Sequence, residues 1–158
     1  MKTMNKQAFL NELRAAQEEV ERRLADLREE QLTERPSPDA WSLRETLHHL
    51  TYWEQYMINV VRRAVEAGAA PQWVTNDEET AINDQILTEA NERRPQEILD
   101  DFRRSSEEVI AMVESIAEDV LMDPNRFAWL NGKPLWTYIA NESYGEHREE
   151  HLQRRVES

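Results

Sequence analysis

The chain has 158 residues and a mass of 18.7 kDa, enough for one domain with an ordinary apolar core and too few to require a second. Nineteen Lys and Arg against 32 Asp and Glu leave a net charge of −13, which repels nucleic-acid backbones and anionic membrane surfaces. There is no cysteine, so disulfides, thiolate ligands and a thiol nucleophile are excluded, and any metal must be held by His, Asp or Glu.

No stretch approaches the roughly 18 apolar residues of a membrane span, and the first ten residues lack the apolar core of a signal peptide. The expectation is a cytoplasmic protein, one domain over 1–158, with neither nucleic acid nor membrane as partner. Arg pairs such as those at 22–23, 62–63 and 103–104 are scattered among acids and read as solvated helix faces.

In chain order, Phe9, Leu13, Ala16, Val20, Leu24 and Leu27 recur at steps of three and four, predicting an amphipathic first helix from about Asn5 to Glu30. Pro36 and Pro38 hold their predecessors out of the α region and end it. Ser42 and Glu45 have capping-box spacing and open a second helix running to about Glu66. Its stripe is Leu43, Leu47, Leu50, Met57, Val61 and Val65, with Glu54 in the middle of it. At 100° per residue, His49 flanks that stripe beside Trp53 and Val60, whereas His48 points away as surface.

Gly68 to Pro71 ends the second helix, and residues 67–94 read as a long connection holding one short helix around Ile82 and Ile86. Pro95 opens a third helix that buries Ile98, Phe102, Val109, Met112 or Val113, and Ile116. Asp123-Pro124-Asn125 breaks it, and Phe127 to Pro134 form an apolar loop about an Asn131-Gly132 turn. A fourth helix runs from Leu135 to about Val156, with Trp136, Ile139, Ala140, Ser143, His147, Glu150, His151 and Arg154 on one face. The fold class is therefore all-α, a four-helix bundle, up-down-down-up, with the long crossover between helices 2 and 3.

All four histidines fall in two places, His48-His49 and His147-x-x-x-His151. Residues four apart on a helix share a face, so the imidazoles of His147 and His151 can reach one ion. At ~1.5 Å per residue, His49 lies roughly 12 Å from the start of helix 2 and His151 roughly 8 Å from the end of helix 4. In antiparallel helices those levels match. His49, His147 and His151 then converge at one end of the bundle.

The run Trp41-Ser42-Leu43-Arg44-Glu45-Thr46-Leu47-His48-His49-Leu50, with His147-x-x-x-His151-Leu152, resembles the DinB-like superfamily of bacterial four-helix bundles. Helix 4, from Pro134-Leu135-Trp136 through Asn141-Glu142-Ser143-Tyr144 to His147, is most similar to the ClbS/DfsB branch. The resemblance implies a metal held by one helix-2 histidine and the HxxxH pair, which are His49, His147 and His151 here. It also implies activities such as thiol transfer to electrophiles, isomerisation with low-molecular-weight thiols, or hydrolysis protecting against a genotoxin. Gly145 departs from the pattern, weakening the helix by about 1 kcal/mol relative to Ala, away from the site face.

Three imidazoles suit Zn or Ni first, and the donor set also admits Fe, Co, Cu and Mn, with an open position for water. A carboxylate-bridged di-metal site needs two Glu-x-x-His motifs, and only Glu45-x-x-His48 is present. Glu54 is read as the catalytic carboxylate, whether as ligand, tautomer-fixing acceptor or base, against a core-edge carboxylate paired with an Arg. Glu150 carries the same ambiguity, and Arg154 binds either an anionic substrate group or a neighbouring acid. Tyr52, Trp53, Tyr56 and Tyr144 are candidate pocket walls, while Trp73, Trp129 and Trp136 read as packing only. The function expected is a metal-dependent hydrolase or thiol transferase for a small molecule, or a non-catalytic sequestration protein, in either case free to form a homodimer.

Overall fold

The computed structural model describes residues 4–144, and every regular element in it is helical. The elements are α1 (Lys6–Leu24), α2 (Glu29–Thr33), α3 (Leu43–Ala67), α4 (Asn76–Glu92), α5 (Pro95–Ser115), α6 (Glu118–Met122), a 3-10 turn at Ala128–Leu130, and α7 (Leu135–Ser143).

The 25-residue α3 is the axis, packing against α2, α4, α5 and α7. Ser42 starts it through the expected reciprocal cap: its hydroxyl accepts the Glu45 N–H at 3.1 Å and its own N–H donates to Glu45 Oε1 at 2.8 Å. Gly68 stops it with φ 66°, the left-handed position that closes a helix and favours glycine.

Two apolar clusters fill the bundle. One joins Phe9, Leu10 and Leu13 of α1, Met57, Ile58 and Val61 of α3, Val109, Met112 and Val113 of α5, and Leu135 and Ile139 of α7. The other joins Val20 and Leu24 of α1, Leu32 of α2, Leu43, Leu47 and Leu50 of α3, Ala90 of α4, and Ile98 and Phe102 of α5. Helices α3 and α5 thus enter the clusters in the same order along the chain, and α1 enters them in reverse. Between the clusters, α3 and α5 each bury polar side chains: Glu54, and Ser105 with Ser106.

Four expectations need correction, the first being that the third helix runs to Asp123: α5 ends at Ser115, and extended backbone at Ile116 and Ala117 separates it from α6. The first helix ends at Leu24, not Glu30, because the backbone at Arg28 turns extended (φ −85°, ψ 157°) to bring the short α2 round and place Leu32 in the core. Val65 leaves the predicted stripe and is exposed, since Ala64, 2% exposed, takes the inward position on that turn of α3. The crossover is not a loop with a short helix but the 17-residue α4, started by the Thr75/Glu78 capping box and three first-turn acids. The expected Asn131-Gly132 turn is present, with φ of 54° and 84°. The fourth helix is α7 as far as Ser143, and its predicted continuation to Val156 lies outside the described residues.

Candidate functional site

His49 projects from the inner flank of α3 and is only 5% exposed. Its ring meets Trp41 edge-on at 5.0 Å and Trp53 at 6.5 Å between centroids. It borders a cleft of about 400 Å³ whose other walls are Trp53 and Tyr56 of α3, Trp73 and Val74 of the crossover, Glu79 of α4, and Tyr138 and Glu142 of α7.

The walls are held by polar tethers. The Trp53 indole N–H donates to Asn83 Oδ1 of α4 at 2.9 Å. The Tyr56 hydroxyl donates to the Gln72 carbonyl at 3.4 Å and accepts the Val74 N–H at 3.3 Å, tying the crossover to α3. Tyr138 is pushed far above the usual phenol range by burial first, then by the Glu142 carboxylate and Tyr56.

The predicted site residues take different places. Trp53 and Tyr56 line the cleft, whereas Tyr52 is not among its walls and packs edge-on against Trp53 at 5.1 Å with 40% of its surface exposed. Tyr144 is not among the cleft's walls: its hydroxyl donates to Glu12 of α1 and its ring lies 6.3 Å from Phe9. Burial raises its pKa, and Glu12 raises it further. Glu54 is buried at 3% exposure on α3 and does not border the cleft. His147, Glu150, His151 and Arg154 lie outside the described residues.

His48 is a correction, because α4 covers it: its Nε2 sits 3.3 Å from Glu89 Oε2 and its side chain is 13% exposed, not free surface. The packing-only reading of Trp73 also changes, since it is 53% exposed at the cleft rim. Tyr138, Glu142 and Glu79 are walls that the sequence reading missed. The i, i+4 spacing of Tyr138 and Glu142 beside the buried Ile139 is the signal that was there to find.

As a metal site, the described part supplies one imidazole, His49. Among the described residues no group of three or more His, Asp or Glu is placed to hold an ion. The donor type fits a divalent transition metal, and the remaining expected donors lie past Tyr144.

Solved structures share the fold, two of them as follows. A protein from Streptococcus pneumoniae, a Northeast Structural Genomics Consortium target, has a TM-score of 0.76 at 14% identity, with 99% of this chain and 91% of that chain covered. The colibactin self-resistance protein ClbS, in complex with a dsDNA, has a TM-score of 0.75 at 10% identity, covering 99% and 96%. No curated protein matches the chain by sequence. The DinB superfamily's sequence profile matches residues 12–153, and the chain belongs to that superfamily.

Proposed function

We propose that the chain is a divalent-metal-dependent hydrolase or thiol transferase acting on a small molecule, with the metal held by His49, His147 and His151. The observation that carries this is His49 itself: a nearly buried imidazole that borders an open cleft, into which Glu142 of α7 also projects five residues before His147. The chemistry such a metal supplies is Lewis-acid activation of a water or a thiol. Zn or Ni suits the donor set best, and Fe, Co, Cu and Mn remain within it. The chain's own contribution is positioning, through aromatic walls that orient a ligand and restrict water.

Glu54, buried and away from the cleft walls, acts through a neighbouring group and not on substrate. Glu54→Gln should therefore weaken metal binding by roughly 10–100-fold without abolishing it, as read by chelator competition.

The test is metal stoichiometry of untagged protein. About one metal per chain is expected, lost in His49→Ala and His147→Ala and kept in His48→Ala, because His48 is engaged by Glu89 on the α4 side. Metal content unchanged by His147→Ala would sink the assignment.

A second reading is favoured by one finding: the ClbS neighbour is a self-resistance protein. On that reading the cleft sequesters a small toxic molecule without turnover. Saturable binding with no product, unaffected by chelator, would select it. Because that neighbour was solved with a dsDNA, duplex DNA belongs in the same ligand screen.

A further inference from the structure

The cleft beside His49 is walled by four aromatic rings and two carboxylates. Trp53 and Tyr56 stand 5.4 Å apart in edge contact, Tyr56 and Trp73 lie 6.5 Å apart at 34°, and Trp73 meets Tyr138 edge-on at 5.8 Å. These centroids form a connected arc around the opening. Glu79 and Glu142 lie on the same lining, and no Lys or Arg does among the described residues. Ring faces carry negative quadrupolar potential and attract cations within about 6 Å, Trp most strongly. Carboxylates at the rim add to that potential, and the net charge of −13 adds a long-range field of the same sign.

From this juxtaposition we infer that the cleft binds an organic cation of the alkylammonium class, its charged head seated against Trp53, Tyr56, Trp73 and Tyr138 and offset by Glu79 and Glu142. Among the described residues the lining groups no three His, Asp or Glu as metal donors, which leaves Glu79 and Glu142 to face the ligand. An anion would face two carboxylates, and a neutral apolar ligand would leave them unused. The volume of about 400 Å³ accommodates a head group of trimethylammonium size with a short tail. The inference rests on the proposed function only in taking this cleft as the substrate cleft.

The experiment is a calorimetric titration of chelator-treated protein with choline, its neutral isostere 3,3-dimethylbutan-1-ol and the anion 3,3-dimethylbutyrate. Choline should saturate and bind at least about fivefold more tightly than the neutral isostere, with no binding of the anion. Trp73→Ala and Glu79→Gln should each weaken choline by about threefold or more. Trp73 also packs on Tyr56, Trp129 and Tyr138, and Glu79 is a first-turn acid of α4, so both variants should melt somewhat below wild type, and binding is measured well below the transition. Equal binding of choline and its isostere, no saturation by choline, or indifference to Trp73→Ala would each overturn the cation assignment. Metal content of the same preparations is scored separately, before chelator is added. Metal without choline binding removes the cation cleft alone, and choline binding without metal supports the cleft while removing the metal.

Discussion

Glu45 is fully buried one turn into α3, and a carboxylate in that position must be supported or it will protonate. Burial pushes its pKa up, but the Arg35 guanidinium, the Ser42 N–H, the Asn91 amide and the Ser42 hydroxyl together pull it down to about 2. Arg35 donates from Nε to Oε1 at 3.0 Å and from its terminal nitrogen to Oε2, so the Pro-rich turn before α3 is locked onto the helix start. The folded pKa lies below the unfolded value, so the stabilisation is complete above about pH 4.5 and is lost as pH falls towards 2. It is worth at most about 3 kcal/mol, because Arg35 is half exposed and solvent screens its share. Chemical denaturation between pH 6 and 2.5 should show that loss for the wild type. Glu45→Gln should be less stable at pH 6 and have a shallower acid slope. An unchanged slope would mean that the lock contributes nothing.

Among the longer helices, α4 is the one held least by apolar packing, since only Ile86 and Ala90 are buried along its 17 residues. Its N-terminus depends on Thr75, whose hydroxyl accepts the Glu78 N–H at 3.1 Å while Glu78 Oε1 takes the Thr75 N–H at 3.2 Å. Thr75→Ala should cost about 1 kcal/mol locally. Hydrogen exchange should accelerate over residues 76–82 with α3 and α5 unchanged, because α4 opens as a unit of low stability. Equal protection of α4 in wild type and variant would contradict this. The same sparse burial explains why a full-length α4 was not legible in the sequence: two buried positions four apart do not make a periodic stripe. Helices α1, α3 and α5 were legible because Phe9, Leu13, Val20 and Leu24, then Leu43, Leu47, Leu50, Met57 and Val61, then Ile98, Phe102 and Val109, bury one continuous face each. The choice of His49 over His48 also followed from helical angle, and His49 is the cleft-facing one. What periodicity could not supply was the part played by the crossover. Trp73 follows Gly68 and Pro71 in an irregular segment, and the Tyr56 tether to Gln72 and Val74, with ring contacts to Trp129 and Tyr138, brings it over the cleft.

At the scale of the whole molecule, the proposed metal would bridge distant parts of the chain, His49 in α3 and the pair at 147 and 151. An ion that binds only the folded state stabilises it by mass action, by about 2.7 kcal/mol when free metal is ~100 times its Kd. For a chain of this size each kcal/mol is worth roughly 2–4 °C, so saturating metal should raise the melting temperature by about 5–10 °C over a chelated sample. His48→Ala should keep the increment, because His48 contacts Glu89 and takes no part in the cleft wall. His49→Ala should lose it even if its melting temperature without metal is already altered by removal of the ring packed on Trp41. His151→Ala tests the far end of the chain in the same way. Loss of the increment in both His49→Ala and His151→Ala would tie the C-terminal residues to α3 through one ion. Loss in His49→Ala alone would remove His151 from the ligand set. A wild-type protein whose melting temperature ignores both chelator and added metals would leave the cleft as a binding site for organic ligands only.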